Sequence, residues 1–158
     1  MKNKFELLMS VQWYFEIKNL SLENILEIKI PLSIEKQKEM RIYYSQYFTS
    51  LVSAIEILLD KNENKKHKEF YNKLKSEFVF DNFLDGSYNY EYIKNLRNSI
   101  IHRGMDITLS AHIKDSFPLV IAQPVIDKYK KNTYQPFEFY LIGIIQKCEL
   151  YFPDIILN

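Results

Sequence analysis

"EKQKEMRIYYSQYFTSLVSAIEILLD", Glu35 to Asp60, decides the fold class. Tyr44, Tyr47, Phe48, Leu51, Ile55, Leu58 and Leu59 recur at steps of three and four, the spacing of one face of an α-helix. Arg41, Ser45, Gln46, Thr49, Ser53 and Glu56 fill the other faces. Ser33, just after Pro31, has the short oxygen-bearing side chain that caps a helix N-terminus. So wide an apolar stripe needs neighbours on more than one side, which places this helix at the centre of a bundle.

Downstream, "KNENKKHKEFYNKLKSEFVFDNFL" reads as a strongly charged helix with Phe70, Leu74, Phe78 or Glu77, and then Asn82 or Phe83 along one side. Its lysines outnumber its acids, and the commoner meaning of such a run is a solvated face rather than a track for RNA. His67, within the run, is expected in water. "DGSYN" is a turn signal, after which Ser87 or Asn89 is expected to cap a helix over "YEYIKNLRNSIIHR". Ile93, Leu96 and Ile100 would point inward there, and Gly104 would end the helix with a left-handed residue. Tyr88 and Tyr90 at its start can stack on bases, although aromatics in a Tyr-rich chain more often pack.

From Met105 to Thr133 the pattern changes. "DITLSAHI" and "FPLVIAQPVI" are rich in β-branched residues and carry Pro118 and Pro124, so a short extended or β-hairpin insert is expected at about 105–133, with His112 at its surface. Helical periodicity returns in "QPFEFYLIGIIQKCELYF", with Pro136 in the first turn, Pro153 as the stop, and Phe137, Tyr140, Leu141, Ile144, Ile145, Cys148 and Tyr151 on a broad apolar face. Upstream, residues 1–30 fit both alternation and helical spacing; a helix is expected because a bundle offers it a groove. The fold class is thus all-α, four to five helices with one short insert, in a single domain spanning 1–158.

Composition narrows the function. Twenty-one basic residues against twenty acidic ones give a net charge of +1, so any case for nucleic-acid binding has to come from local patches. The single cysteine, Cys148, reads as a buried thiol, and no stretch approaches a membrane span or a cleavable leader, so a cytoplasmic protein is expected. Three glycines leave no phosphate loop, and there is no HExxH, no CxxC and no acidic cluster with ligand spacing. Neither a metal site nor a cofactor site is therefore legible. What remains is Arg97, Asn98, His102 and Arg103 in "LRNSIIHRGM".

Asn98 and His102, four apart, share a helix face, so Asn98 can orient the imidazole. Arg97 and His102, five apart, differ by roughly 140° around the axis and do not converge within one unbroken helix. A two-fold axis joining two copies would bring two arginines and two histidines around one cleft. Such a cleft suits RNA cleavage: histidine moves the protons, arginine holds the phosphate, and the ribose supplies the nucleophile.

The run Arg97, Asn98, three further residues, His102 resembles the signature of HEPN domains (higher eukaryotes and prokaryotes nucleotide-binding). The resemblance covers most of Glu35 to Phe152 in element order, while about six residues carry it specifically. It implies an all-α bundle with the motif on a late helix, and a metal-independent endoribonuclease whose catalytic residues are Arg97 and His102, with Asn98 beside them, at a site formed across a homodimer. Arg103, Lys65 and Lys66 are the candidate substrate-binding cations. Many members of that family are toxins or phage-defence effectors encoded beside a minimal nucleotidyltransferase antitoxin. Others are silent and bind nucleotides or partners, and that is the alternative here. A third reading is an unrelated helical interaction protein in which Arg97 and His102 merely dress a helix end. The segment 105–133 departs from the family pattern.

Overall fold

The computed structural model describes residues 3–29, 33–80, 83–103, 108–114, 117–122 and 140–157. Their elements run α1 (Lys4–Glu27), α2 (Ile34–Leu59), α3 (His67–Glu77), α4 (Gly86–Arg103), β1 (Thr108–Lys114), β2 (Phe117–Ala122) and α5 (Leu141–Leu157). The described architecture is an α-helical bundle with one hairpin between the fourth and fifth helices.

α2 forms the centre. Ser33 caps it, its Oγ accepting from the Lys36 N–H at 3.1 Å, and Tyr44, Tyr47, Phe48, Leu51 and Ile55 are buried as their spacing requires. α1, α3 and α4 all pack on it. α1 is a helix, started by a capping box in which Asn3 and Glu6 exchange side-chain and backbone hydrogen bonds at 2.9 and 3.0 Å. Helical spacing wins there because Val11, Phe15 and Ile25 bury against α2, while Phe5, Met9 and Trp13 stay exposed.

The charged helix is shorter than expected. Lys61, Lys65 and Lys66 lie in the turn before it. Asp60 accepts from the Asn62 N–H at 2.7 Å, and Asn64 bonds both the Leu58 carbonyl and the Lys66 N–H, so these side chains offer the backbone an alternative to helix. His67 is half-buried rather than solvated, with Nδ1 3.0 Å from the Asn64 carbonyl oxygen. At the other end α3 stops at Glu77. Phe78 turns fully inward against Phe80, Tyr151 and Phe152, and Phe83 returns in a bridge to Phe80 rather than continuing the helix.

The hairpin falls inside the expected insert. β1 and β2 pair antiparallel, Ala111 with Val120 and His112 with Leu119, and Val120 is buried. Pro118 sits opposite Ile113 in a ribbon that is two-stranded among the described residues, and an edge strand tolerates a missing N–H. Pro124, Pro136 and Phe137 lie outside the described residues. α5 buries Leu141, Ile144, Ile145, Cys148 and Phe152. Pro153 does not stop it: the helix continues to Leu157, because a proline one turn from a helix end removes a single hydrogen bond and need not break the remainder.

Candidate active site on helix α4

The start of α4 is set by Asp85, not by Ser87 or Asn89. Asp85 Oδ1 accepts from the Ser87 N–H at 2.9 Å and from its hydroxyl, while the Asn89 N–H reaches the Asp85 carbonyl. Asn89 has another task. Fully buried, it donates through Nδ2 to the Phe78 carbonyl at 2.8 Å and the Phe83 carbonyl at 3.0 Å, pinning the α3–α4 connection. Gly86 is required by close approach: a Cβ there would collide with the Leu74 carbonyl oxygen of α3.

From this anchored start α4 runs without interruption to Arg103, so Arg97, Asn98 and His102 stand on one continuous helix near its C-terminal end. Ile93 and Leu96 face the core as expected. The Ile100, His102 and Arg103 side chains and Gly104 lie outside the described part of the molecule, and with them the Asn98–His102 hydrogen bond and the end of the helix at glycine. Because the helix is unbroken, the backbone positions of Arg97 and His102 remain about 140° apart around its axis.

Arg97 is only 12% exposed and is engaged by α2. Its Nη1 donates to Glu56 Oε2 at 3.2 Å and its Nη2 to Glu56 Oε1, a two-pronged pair whose carboxylate partner is 41% exposed. Two further donors on this face have no acceptor among the described residues: Arg97 Nε and the Tyr90 hydroxyl, both buried. Tyr90 lies seven residues before Arg97, hence on the same face of α4, and packs rather than offering a stacking surface. Burial, reinforced by the Glu56 charge, pushes its phenol up, so it stays a neutral donor. Tyr88, by contrast, is exposed.

Asn98 is half-buried and makes no described contact with Arg97. Lys65 and Lys66 are exposed; Lys66 lies 4.0 Å from Glu69, and no described ion pair joins either lysine to Arg97. His112 is carried on β1, away from α4 in sequence, opposite Leu119. Among the described residues no group of three His, Cys, Asp or Glu side chains could hold a metal ion, and no helix is long and apolar enough to cross a membrane. Two shallow surface depressions, about 370 Å³ beside Met9, Trp13 and Ile57 and about 510 Å³ beside Lys38, Arg41 and Ile42, do not include Arg97.

Glu56 is the residue of this site whose spacing marks only an outer face, while Tyr90 packs, the commoner of the two roles expected of it. A signal for Glu56 exists: it is the lone acid between Met40 and Leu59, set inside the apolar run "SLVSAIEILL". No family model, curated protein or solved structure matches this chain.

Proposed function

We propose that this chain is a metal-independent endoribonuclease of the HEPN type, acting on RNA at a cleft formed by two copies of α4. The observation that carries this reading is the continuity of α4 through Arg97, Asn98 and His102 at its C-terminal end, in a helix order matching the one the motif implies. The 140° offset between Arg97 and His102 supports a homodimer, since a second copy brings the missing group to each phosphate.

The chemistry needs little from the protein. A neutral His102 takes the ribose 2′-hydroxyl proton; the 2′-oxygen attacks the adjacent phosphorus; the bond to the 5′-oxygen breaks; and a protonated His102 of the second copy supplies that oxygen's proton. Arg97 holds the phosphate and offsets the negative charge that builds on it. The C-terminal end of a helix favours the protonated imidazole. A toxin or phage-defence role, with a minimal nucleotidyltransferase as antitoxin, belongs to the same proposal.

One observation favours a second reading, a silent binding or regulatory module: Arg97 is already neutralised by Glu56. The two are separated by incubating purified protein with structured and single-stranded RNA in excess EDTA. The endoribonuclease leaves 2′,3′-cyclic phosphate and 5′-hydroxyl ends and spares DNA, which lacks the attacking hydroxyl. A dimeric protein that cleaves no RNA is the silent module.

A further inference from the structure

We infer that Glu56 is a built-in competitor of the substrate: its carboxylate occupies, on the Arg97 guanidinium, the place an RNA phosphodiester would take, and it must swing into water before RNA engages Arg97. The choice of RNA as ligand rests on the ribonuclease reading; the competition itself rests on geometry.

A guanidinium presents two forks, one from its two Nη atoms and one from Nε with the neighbouring Nη. Glu56 fills the first, and the Nε of the second is buried. A phosphate therefore finds no free two-pronged approach while Glu56 stays in place. The partners also differ in access. Arg97 is 12% exposed and Glu56 41%, so the carboxylate is the outer member and can rehydrate with α2 and α4 intact, whereas the arginine stays sheltered.

Glu56 takes both Nη donors of Arg97, and Arg97 Nε is buried without an acceptor among the described residues. The two Nη donors of this sheltered guanidinium are a donor set that grips a phosphate as readily as a carboxylate. Glu56 keeps that set neutral while no anion is bound.

The size of the effect follows from how tightly the pair holds. Apparent affinity falls in proportion to the fraction of molecules with a free Arg97, and a partly exposed ion pair lowers that fraction by roughly fivefold. The test measures binding of a fluorescent 2′-O-methyl RNA oligonucleotide, which lacks the attacking hydroxyl and reads binding alone. Glu56→Gln is expected to bind about fivefold or more tightly than wild type, and the gain should vanish in an Arg97→Ala background. Glu56→Asp, which draws the carboxylate back by one methylene, should shift affinity the same way by less and carries the test if the Gln variant loses its fold.

Equal or weaker binding by the Glu56 variants overturns the inference, because Glu56 then positions Arg97 or does nothing. A gain of the same size with Arg97 absent overturns it too, since Glu56 would then act only through overall charge. Wild-type cleavage of natural RNA without the Arg97-dependent gain keeps the ribonuclease and removes the competitor. The gain without any cleavage keeps the competitor and removes the ribonuclease.

Discussion

The Lys18 ammonium lies 2.5 Å from Glu149 Oε1, joining the first helix to the last across 131 residues. Lys18 is 1% exposed and Glu149 24%. The same Glu149 oxygen accepts from the Tyr47 hydroxyl at 2.9 Å, and the ammonium also meets Asn19 Oδ1 at 2.7 Å and the rings of Phe15 and Tyr47. One carboxylate thus links α1, α2 and α5.

Removing either partner is not symmetric. Glu149→Gln leaves a fully buried ammonium without its counter-charge and is expected to cost about 3 kcal/mol or more in urea denaturation. Lys18→Met leaves a carboxylate that already reaches water and keeps Tyr47, so it should cost clearly less. The reverse order would show that the pair does not hold the helices together as described.

Asp85 makes the stability of α4 sensitive to acid. Its hydrogen bond from the Ser87 hydroxyl, helped by the Ser87 N–H and by Lys75, holds its carboxyl below the ordinary 3.8 against a smaller opposing effect of burial. A lowered folded value means that the contribution is complete above 3.8 and is lost as pH falls below it, because the unfolded chain takes up the proton first. Asp85→Asn should keep the cap while flattening that part of the stability profile below pH 4, and Asp85→Ala should cost about 1 kcal/mol at neutral pH.

Gly86→Ala tests the approach of α4 to α3. The added methyl meets the Leu74 carbonyl, a backbone group that moves only if the end of α3 moves, so a loss of about 2 kcal/mol or more is expected by thermal or urea unfolding. A neutral substitution would mean that the helices can part there freely.

Cys148 should be inert in the folded protein. Burial pushes its thiol well up, Glu149 adds to this and Lys18 opposes it. A disulfide reagent at pH 8 should therefore modify it only at the rate of unfolding, with full reaction in denaturant. Rapid labelling of native protein would contradict the packing of α5.

What the sequence made legible was periodicity, and what it hid was pairing. The α2 stripe and the hairpin between Thr108 and Ala122 follow from spacing and residue type, whereas the spacing of residues 1–30 fits strand and helix alike and only the groove a bundle offers favours the helix. Spacing separates inside from outside but does not say which outward residue meets a neighbouring helix, and so Glu56 read as filler until α4 lay beside it. Lys18 shows a related blindness: Val11, Phe15, Lys18, Ser21 and Ile25 follow steps of four and three, so the lysine occupies a core position. The partner that makes this tolerable stands 131 residues away. Asp60, Asn64 and Asp85 shift helix boundaries by bonding backbone groups, competing locally with the helix in a way that apolar periodicity does not register.

The site itself is tested by separating activity from stability at Arg97. Its partner Glu56 is 41% exposed, so Arg97→Ala leaves a carboxylate that water can reclaim, and a stability loss of roughly 1 kcal/mol is expected. Catalysis should fall far more. His102→Ala is expected to lose about 10²-fold or more in the RNA cleavage rate, the usual worth of a general acid or base. Arg97→Ala is expected to lose about 10²-fold by uncovering charge in the transition state. Arg97→Lys should recover little of that loss although it restores the charge, because an ammonium lacks the planar fork that grips two phosphate oxygens. Full activity in Arg97→Lys would reduce the arginine to a local positive charge, and full activity in both alanine variants would place the reaction elsewhere in the molecule.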